Sequence, residues 1–310
     1  MATAYGRIEA EYSFSCKSMN VTVFNMNDRR NEFFDFVKKR EALRLVKETG
    51  APWPWSDDQI LNTYKFTNVK REFDRTTKWM RRFWTLPHHN RPAGEIIFNC
   101  GLFRYFGTVE LAEAIGWQDE WVVKDVSDKI SKRVNNGQRV FTGAYIIPTL
   151  GKKEPKHIVV VRDILSSLWN NRNELAEIAE KTQSWKQVGA CLGQLPGYGG
   201  TGFMVKELLQ DVMQTPVLEG ALDRNTWCPA GPGARRGLNR VFFREVEAKV
   251  SESKLLDEMI YIFESRASYL PVEFPELELH DVQFQLCEFD KYERVRLGQG
   301  RPKAKYNAFM

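Results

Sequence analysis

The stretch SWKQVGACLGQLPGYGGTGFMVKELLQDVM, Ser184–Met213, decides how the rest of the chain is read. Trp185–Leu192 has the spacing of a short amphipathic helix. Leu195–Gly200 (LPGYGG) is a hinge whose paired glycines permit backbone that other residues resist, and a second helix is expected from about Thr201. A helix, a two-glycine hairpin and a helix whose first amides point outward make a helix-hairpin-helix, expected here over residues 184–214. Such a hairpin grips a nucleic-acid phosphate through backbone N–H groups. Leu195, Gly197, Gly199, Gly200 and Thr201 are therefore the expected contacts to a DNA backbone. Gly197 through Gly202 also satisfies G-x-G-x-x-G, but the dinucleotide fingerprint requires a strand just upstream, where this sequence reads as helix.

The 310 residues, 43% of them hydrophobic, suffice for a large core, and 45 basic residues interleaved with 40 acidic ones leave a net charge of only +5. Any polyanion surface must then come from local clustering rather than bulk charge. Cys16, Cys100, Cys191, Cys228 and Cys287 are odd in number and lack any C-x-x-C, which argues against a disulfide framework or zinc knuckle and for reduced, cytoplasmic thiols. No signal-peptide pattern and no long uncharged apolar run occurs, so no membrane association is expected. His88-His89 lack further ligands at helical spacing, so no metal site is expected.

Working outward, residues 1–27 read as an N-terminal arm, residues 28–296 as a single helical unit with minor β, and residues 297–310 as a basic, disordered or rim-binding tail. Phe33, Phe34, Val37, Leu43 and Val46 have helical spacing, closed by Gly50, and Ser56 or Asp57 is expected to cap the next helix. Tyr64–Trp84 packs seven Lys/Arg and six aromatics into one helical-length run. On a helix Asn68, Arg71 and Arg75 share a face with Asp74 beside it, either a solvated surface over an aromatic core or a cleft wall that meets bases and phosphates. Residues 95–106 read as a buried helix in which Asn99 and Arg104 need partners, and residues 139–149 as a hairpin or extended loop. Gly231, Gly233 and Gly237 beside Arg235 and Arg236 have the ingredients of an anion-binding loop, with helices expected at about 238–249, 251–266 and 280–294. Lys206, without a patterned partner, reads as solvated.

The segments PWSDDQIL, YKFTNVKREFDRTTKW, GAYII, LPGYGGTGF, TWCPAGPGARRGLNR and LCEFDKYER, in this order between about residues 30 and 300, resemble the α-glutamyl/putrescinyl-thymine pyrophosphorylase family. That resemblance implies a mainly α fold related to the helix-hairpin-helix DNA glycosylases. It also implies a phage amino-acid:DNA transferase that replaces the phosphate of 5-phosphomethyl-deoxyuridine with an amino acid such as glycine, a thymidine hypermodification that evades restriction. A separate kinase supplies the phosphate, and this sequence contains no G-x-x-x-x-G-K-[ST]. Some relatives instead excise modified bases from phage DNA in antiviral defence, which keeps a glycosylase as the alternative. The implied partners are double-stranded DNA carrying a modified pyrimidine and an amine co-substrate, with no cofactor.

Both chemistries need the base out of the duplex. Trp79, Trp84, Tyr145 and Trp227 are stacking candidates. Asp211, Asp223 (near the position of the glycosylase aspartate, with Glu219 nearby) and Arg236 are the expected catalytic groups, Asp74 a further candidate base. Arg235, Gly231, Gly233, Asn68, Arg71, Asp74, Arg75, Arg104, Tyr145 and Trp227 are expected at substrate or phosphate.

Overall fold

The computed structural model describes residues 28–306 apart from Ala144 and Thr201, so the expected N-terminal arm and residues 307–310 lie outside the described residues. The chain is mainly helical. In order it runs α1 (Arg30–Glu48), α2 (Gln59–Thr63), α3 (Arg75–Trp79), α4 (Ala93–Phe106), α5 (Val109–Ile115) and α6 (Val123–Asn135). It continues with α7 (Lys156–Val159), α8 (Ser166–Thr182), α9 (Trp185–Leu192), α10 (Phe203–Val212), α11 (Gly231–Val241), α12 (Glu252–Ser265) and α13 (Leu279–Arg296). Among the described residues β structure is confined to an isolated antiparallel bridge between Tyr64 and Lys305. No described helix is long and apolar enough to cross a membrane.

Two helices run through the middle of the packing. α4 is buried on nearly every face and lies against α8 and α10, while α13 takes α1, α11 and α12. The closest pair is α11 with α13. Gly233 and Gly237, one helical turn apart, face α13, and a Cβ at Gly237 would run into the Leu286 carbonyl. The expected anion-binding loop at 231–237 is therefore a helix whose glycines serve close approach to a neighbour. That helix stops at Val241, short of the expected 249, and the last two helices fall where their periodicity places them.

The run 64–84 is not one helix. Residues 67–70 are extended because buried side chains hold their carbonyls: Arg40 takes the Thr67 oxygen, and Gln285 donates to the Val69 oxygen at 2.6 Å. The helix begins only after Asp74, whose carboxylate turns back to accept from the Asn68 amide at 3.1 Å, and it continues from α3 into a π-helical stretch, Met80–Thr85. The shared face expected for Asn68, Arg71 and Arg75 accordingly does not form. Arg71 is buried and Arg75 exposed.

Smaller departures have local causes. Asp58, one residue beyond the expected caps, closes α2 by accepting from the amides of Ile60 and Leu61. Residues 139–149 form an extended loop with no strand among those described. The start of the tail is ordered against the chain, since Tyr306 donates to the Thr63 carbonyl at 2.9 Å and Lys65 to that of Ala304 at 3.0 Å. His88 stacks on Trp117 with ring centres 4.0 Å apart, and no group of described His, Cys, Asp or Glu is arranged to hold a metal.

Candidate functional site

α9 and α10 flank the glycine hairpin as expected. Gly197 sits at φ +84°, its carbonyl accepts from the Tyr105 hydroxyl at 2.8 Å, and any Cβ there would fall 2.6 Å from that hydroxyl. Only glycine lets the hairpin lie this close to α4. Behind it the Tyr198 ring is fully buried. Leu195, Gly197 and Gly199 line a cavity of about 640 Å³ whose opposite wall is Tyr145, Ile146 and Phe203, within the range of small-ligand sites. Gly200 is exposed at φ +82°, and Thr201 lies outside the described residues.

Behind Tyr145 lies a cluster of ions closed off from solvent. Arg71, 8% exposed, donates to the Tyr145 hydroxyl at 2.9 Å and to Glu207 Oε2 at 2.8 Å, and the hydroxyl donates to the same carboxylate at 2.6 Å. The amide of Gln210, oriented with its oxygen toward Arg71, accepts from Arg71 Nε at 2.7 Å. Arg104 clasps both oxygens of Asp211, Nη2 to Oδ1 at 2.7 Å, and reaches the Tyr145 hydroxyl at 3.4 Å. Arg81 joins from outside, 3.2 Å from Asp211 Oδ1 and bidentate to Glu72 at 3.0 and 2.9 Å. Lys206, fully withdrawn from water rather than solvated, pairs with Glu207 Oε1 at 3.0 Å, donates to Gln283 at 2.8 Å and lies over the Phe284 ring. Four cations thus face three carboxylates, with the tyrosine as their outlet to the cavity.

The electrostatics follow from burial and pairing. Burial alone would raise the Glu207 carboxyl, but Arg71, Lys206 and Arg104 outweigh it and hold Glu207 well below the usual carboxylate range. Burial raises the Tyr145 phenol against the pull of Arg71, so it stays protonated and donates. For Lys206 desolvation wins over Glu207 and lowers the ammonium.

Arg71, Arg104, Tyr145 and Asp211 are therefore brought together from four separate parts of the chain. Glu207, Lys206, Arg81, Glu72 and Gln283 complete the set and were missed. A signal existed: MVKELLQDV places Lys206, Glu207, Gln210 and Asp211 on a helix that is otherwise apolar, and all four are buried.

Other expected residues lie elsewhere. Asp223 caps α9: its carboxylate accepts from the Ser184 hydroxyl at 2.6 Å and from the amides of Trp185 and Lys186, both at 3.0 Å, leaving little to offer a substrate. Arg236 pairs with buried Asp290 at 2.9 Å and Arg235 with Glu247 at 3.0 Å, and neither lines the Tyr145 cavity. Asp211, Asp223 and Arg236 are thus engaged in three different places rather than one, Asp211 with α4, Asp223 from a turn with the start of α9, and Arg236 with α13. Gly231 and Gly233 belong to the packed helix α11. Trp79 stacks on Phe103, Trp84 donates to the Asn99 carbonyl from within the core, and Trp227 packs edge-on to Trp185, so of the four stacking candidates Tyr145 reaches the cavity. Asn68, Asp74 and Arg75 line a second cavity, of about 590 Å³.

The cluster is tied to α13 through Asp281, which accepts from the Arg71 amide at 3.1 Å and closes a capping box with Glu278. Next to it His280 is 2% exposed, 3.3 Å from Glu278 Oε2 and 3.7 Å from Asp281 Oδ1. Burial depresses its imidazole from 6.5 to about 4 and raises the Asp281 carboxyl to about 6. A depressed histidine contributes stability above the unfolded value of 6.5 that is lost as pH falls through about 4, whereas Asp281 acts in the opposite sense, losing its contribution as pH rises through about 6. Comparing wild type with His280→Leu by urea unfolding isolates the histidine: between pH 6.5 and 4 wild type should lose on the order of 3 kcal/mol relative to the variant. A constant difference would mean that His280 stays neutral in neither state preferentially.

Fold and site together define a helical protein with a glycine-hinged helix pair set beside a buried ionic cluster that opens, through one tyrosine, on a ligand-sized cavity. The chain belongs to the family described as the 5-hmdU DNA kinase helical domain, whose profile matches residues 27–301. It is similar to a protein of Bacillus phage SP10 named 5-hmdU DNA kinase, 24% identical over 290 residues. The match takes in 84% of this chain and 44% of that relative, so the chain spans less than half of the relative's length. No solved structure matches significantly.

Proposed function

We propose that this chain acts on a 5-substituted deoxyuridine in double-stranded DNA, turned out of the helix into the cavity between the glycine hairpin and Tyr145. Its reaction, in this reading, replaces the phosphate of a 5-phosphomethyl group with an amino acid or other amine. The observation that carries the reading is the convergence of Arg71, Arg104, Tyr145 and Asp211 behind that cavity. The family match adds the class of base, since the phage relative is named for 5-hmdU in DNA. The sequence contains no P-loop, which favours a step other than phosphorylation for the residues present.

In the transfer the bond from the exocyclic methylene carbon to the phosphate oxygen breaks, and phosphate departs with the electron pair. The amine nitrogen bonds to that carbon, and its surplus proton passes to a base. Arg71 and Arg104 are saturated by carboxylates, so their part is to fix the Tyr145 hydroxyl where it meets the pyrimidine edge. Asp74, whose carboxyl burial raises despite Arg71, lines the second cavity rather than this one, so the surplus proton passes to another molecule of the amine in solution. Asp223, on which excision would draw, is occupied as a cap.

The test incubates the protein with duplexes carrying 5-phosphomethyl-deoxyuridine, 5-hydroxymethyl-deoxyuridine or thymidine, with and without glycine and with and without ATP, and weighs the released nucleosides. Loss of phosphate with gain of glycine on the first duplex is expected. Abasic sites would replace transfer by excision, ATP-dependent mass gain on the hydroxymethyl duplex would replace it by phosphorylation, and no change on any duplex would overturn the reading.

A further inference from the structure

The second cavity has a chemistry of its own. Lys47, Lys65 and Arg75 stand on its rim, and none of the three has a carboxylate at ion-pair distance among the described residues; Lys47 instead reaches the Tyr306 hydroxyl at 3.2 Å. Arg40, only 5% exposed, lines the same cavity. Its terminal nitrogens are held by Gln285 and by the Thr67 carbonyl, neither of them charged, and its Nε has no hydrogen-bond partner. Glu288, Asp74 and Glu41 act on it only through space, none at ion-pair distance, and desolvation outweighs them and lowers the Arg40 pKa. Of the two carboxylates lining the cavity, Glu48 is already paired with Arg44 at 2.6 Å, and Asp74 is bound to the Asn68 amide. Phe73, Phe66 and Tyr306 supply ring faces among the cations. The cavity's cations outnumber its carboxylates, and its size and aromatic walls leave room for an anion attached to a flat ring.

We propose that the cleft of Arg40, Lys47, Lys65 and Arg75 binds the phosphate of a nucleotide. Two sources present that chemistry, a free nucleotide and the backbone of a DNA strand. The four cations would share the phosphate oxygens, with Arg40 gaining the direct ion pair that the protein does not give it. The site stands apart from the hairpin cavity, and its occupancy does not depend on the transfer reaction.

Binding is measured directly, without turnover, by calorimetry at low salt with pyrophosphate as the probe, for wild type, Arg75→Ala, Lys65→Ala and the double variant. Both side chains are exposed and unpaired, so the variants should fold as wild type does, which thermal unfolding checks. Each single change is expected to weaken pyrophosphate about tenfold, a fraction of the strength of a charge-assisted contact to phosphate, and the double variant to abolish measurable binding. Arg236→Ala, on another face, should leave it unaltered. Displacement of pyrophosphate by thymidine 5′-monophosphate assigns the cleft to a free nucleotide, and displacement by a short oligonucleotide alone assigns it to a strand. Absence of binding to wild type, or equal binding by wild type and the double variant, would overturn the proposal while leaving the DNA-modification reading standing.

Discussion

Asp211→Ala is expected to destabilise the protein by about 3–5 kcal/mol, the range for breaking a buried pair by removing one partner. Asp211 is fully buried and its carboxylate serves two guanidiniums, Arg104 through both oxygens and Arg81 at 3.2 Å. The alanine leaves Arg104, 3% exposed, with only the 3.4 Å contact to the Tyr145 hydroxyl and a distant sulfur. Removing the desolvated Asp211 charge does not offset this, since the surviving Arg104 guanidinium is itself buried and is left without a counter-charge at ion-pair distance. Glu72→Ala removes a carboxylate at 25% side-chain exposure from the outer end of the same chain of ions and should cost about 1 kcal/mol. Urea unfolding of the two variants side by side reads the contrast. Equal small losses would mean that water reaches Arg104 and that the cluster is not the closed unit described above.

The same cluster marks the limit of reading function from the chain alone. The helical class, the glycine elbow and the buried helix at 95–106 were legible because each is a local pattern, a period or a turn residue whose consequence is settled within a dozen positions. Arg104 was legible too, since a guanidinium on a helix apolar on nearly every face must find a partner. Its partner Asp211 could be suspected, but the pairing across 107 residues could not be read. Lys206 fails because helical spacing puts no counter-ion at i±3 or i±4, while the groups that hold it are Glu207, the adjacent residue, and Gln283 on α13. The glycine-arginine stretch 231–237 misled because glycine spacing that permits an anion loop equally permits two helices to touch, and the deciding atom, the Leu286 carbonyl, lies 49 positions away. In the run 64–84 the charge density was informative and the periodicity was not. Buried side chains from α1 and α13 pull residues 67–70 straight, dividing one apparent face between the ionic cluster and the phosphate cleft.

Tyr145→Phe should lower turnover on the phosphomethyl duplex on the order of a hundredfold while costing only about 1 kcal/mol of stability, the net worth of ordinary hydrogen bonds. The ring itself stays, packed edge-on against Phe203 at 5.4 Å, so the cavity keeps its shape. What goes is the hydroxyl that touches Arg71, Arg104 and Glu207 at once, on a residue that also lines the cavity. Without it the cluster still balances, because Arg71 retains Glu207 at 2.8 Å and Arg104 retains Asp211, yet nothing conveys their field to a bound pyrimidine. Duplex binding should change less than twofold, since the hairpin backbone is untouched. The split is what separates the two possible roles of the hydroxyl. A phenol that only braces the cluster would, on removal, lower stability and leave turnover per folded molecule as it was. A phenol that meets the base would lose turnover at full folding, and the loss would persist at saturating duplex, as an effect on kcat rather than on KM.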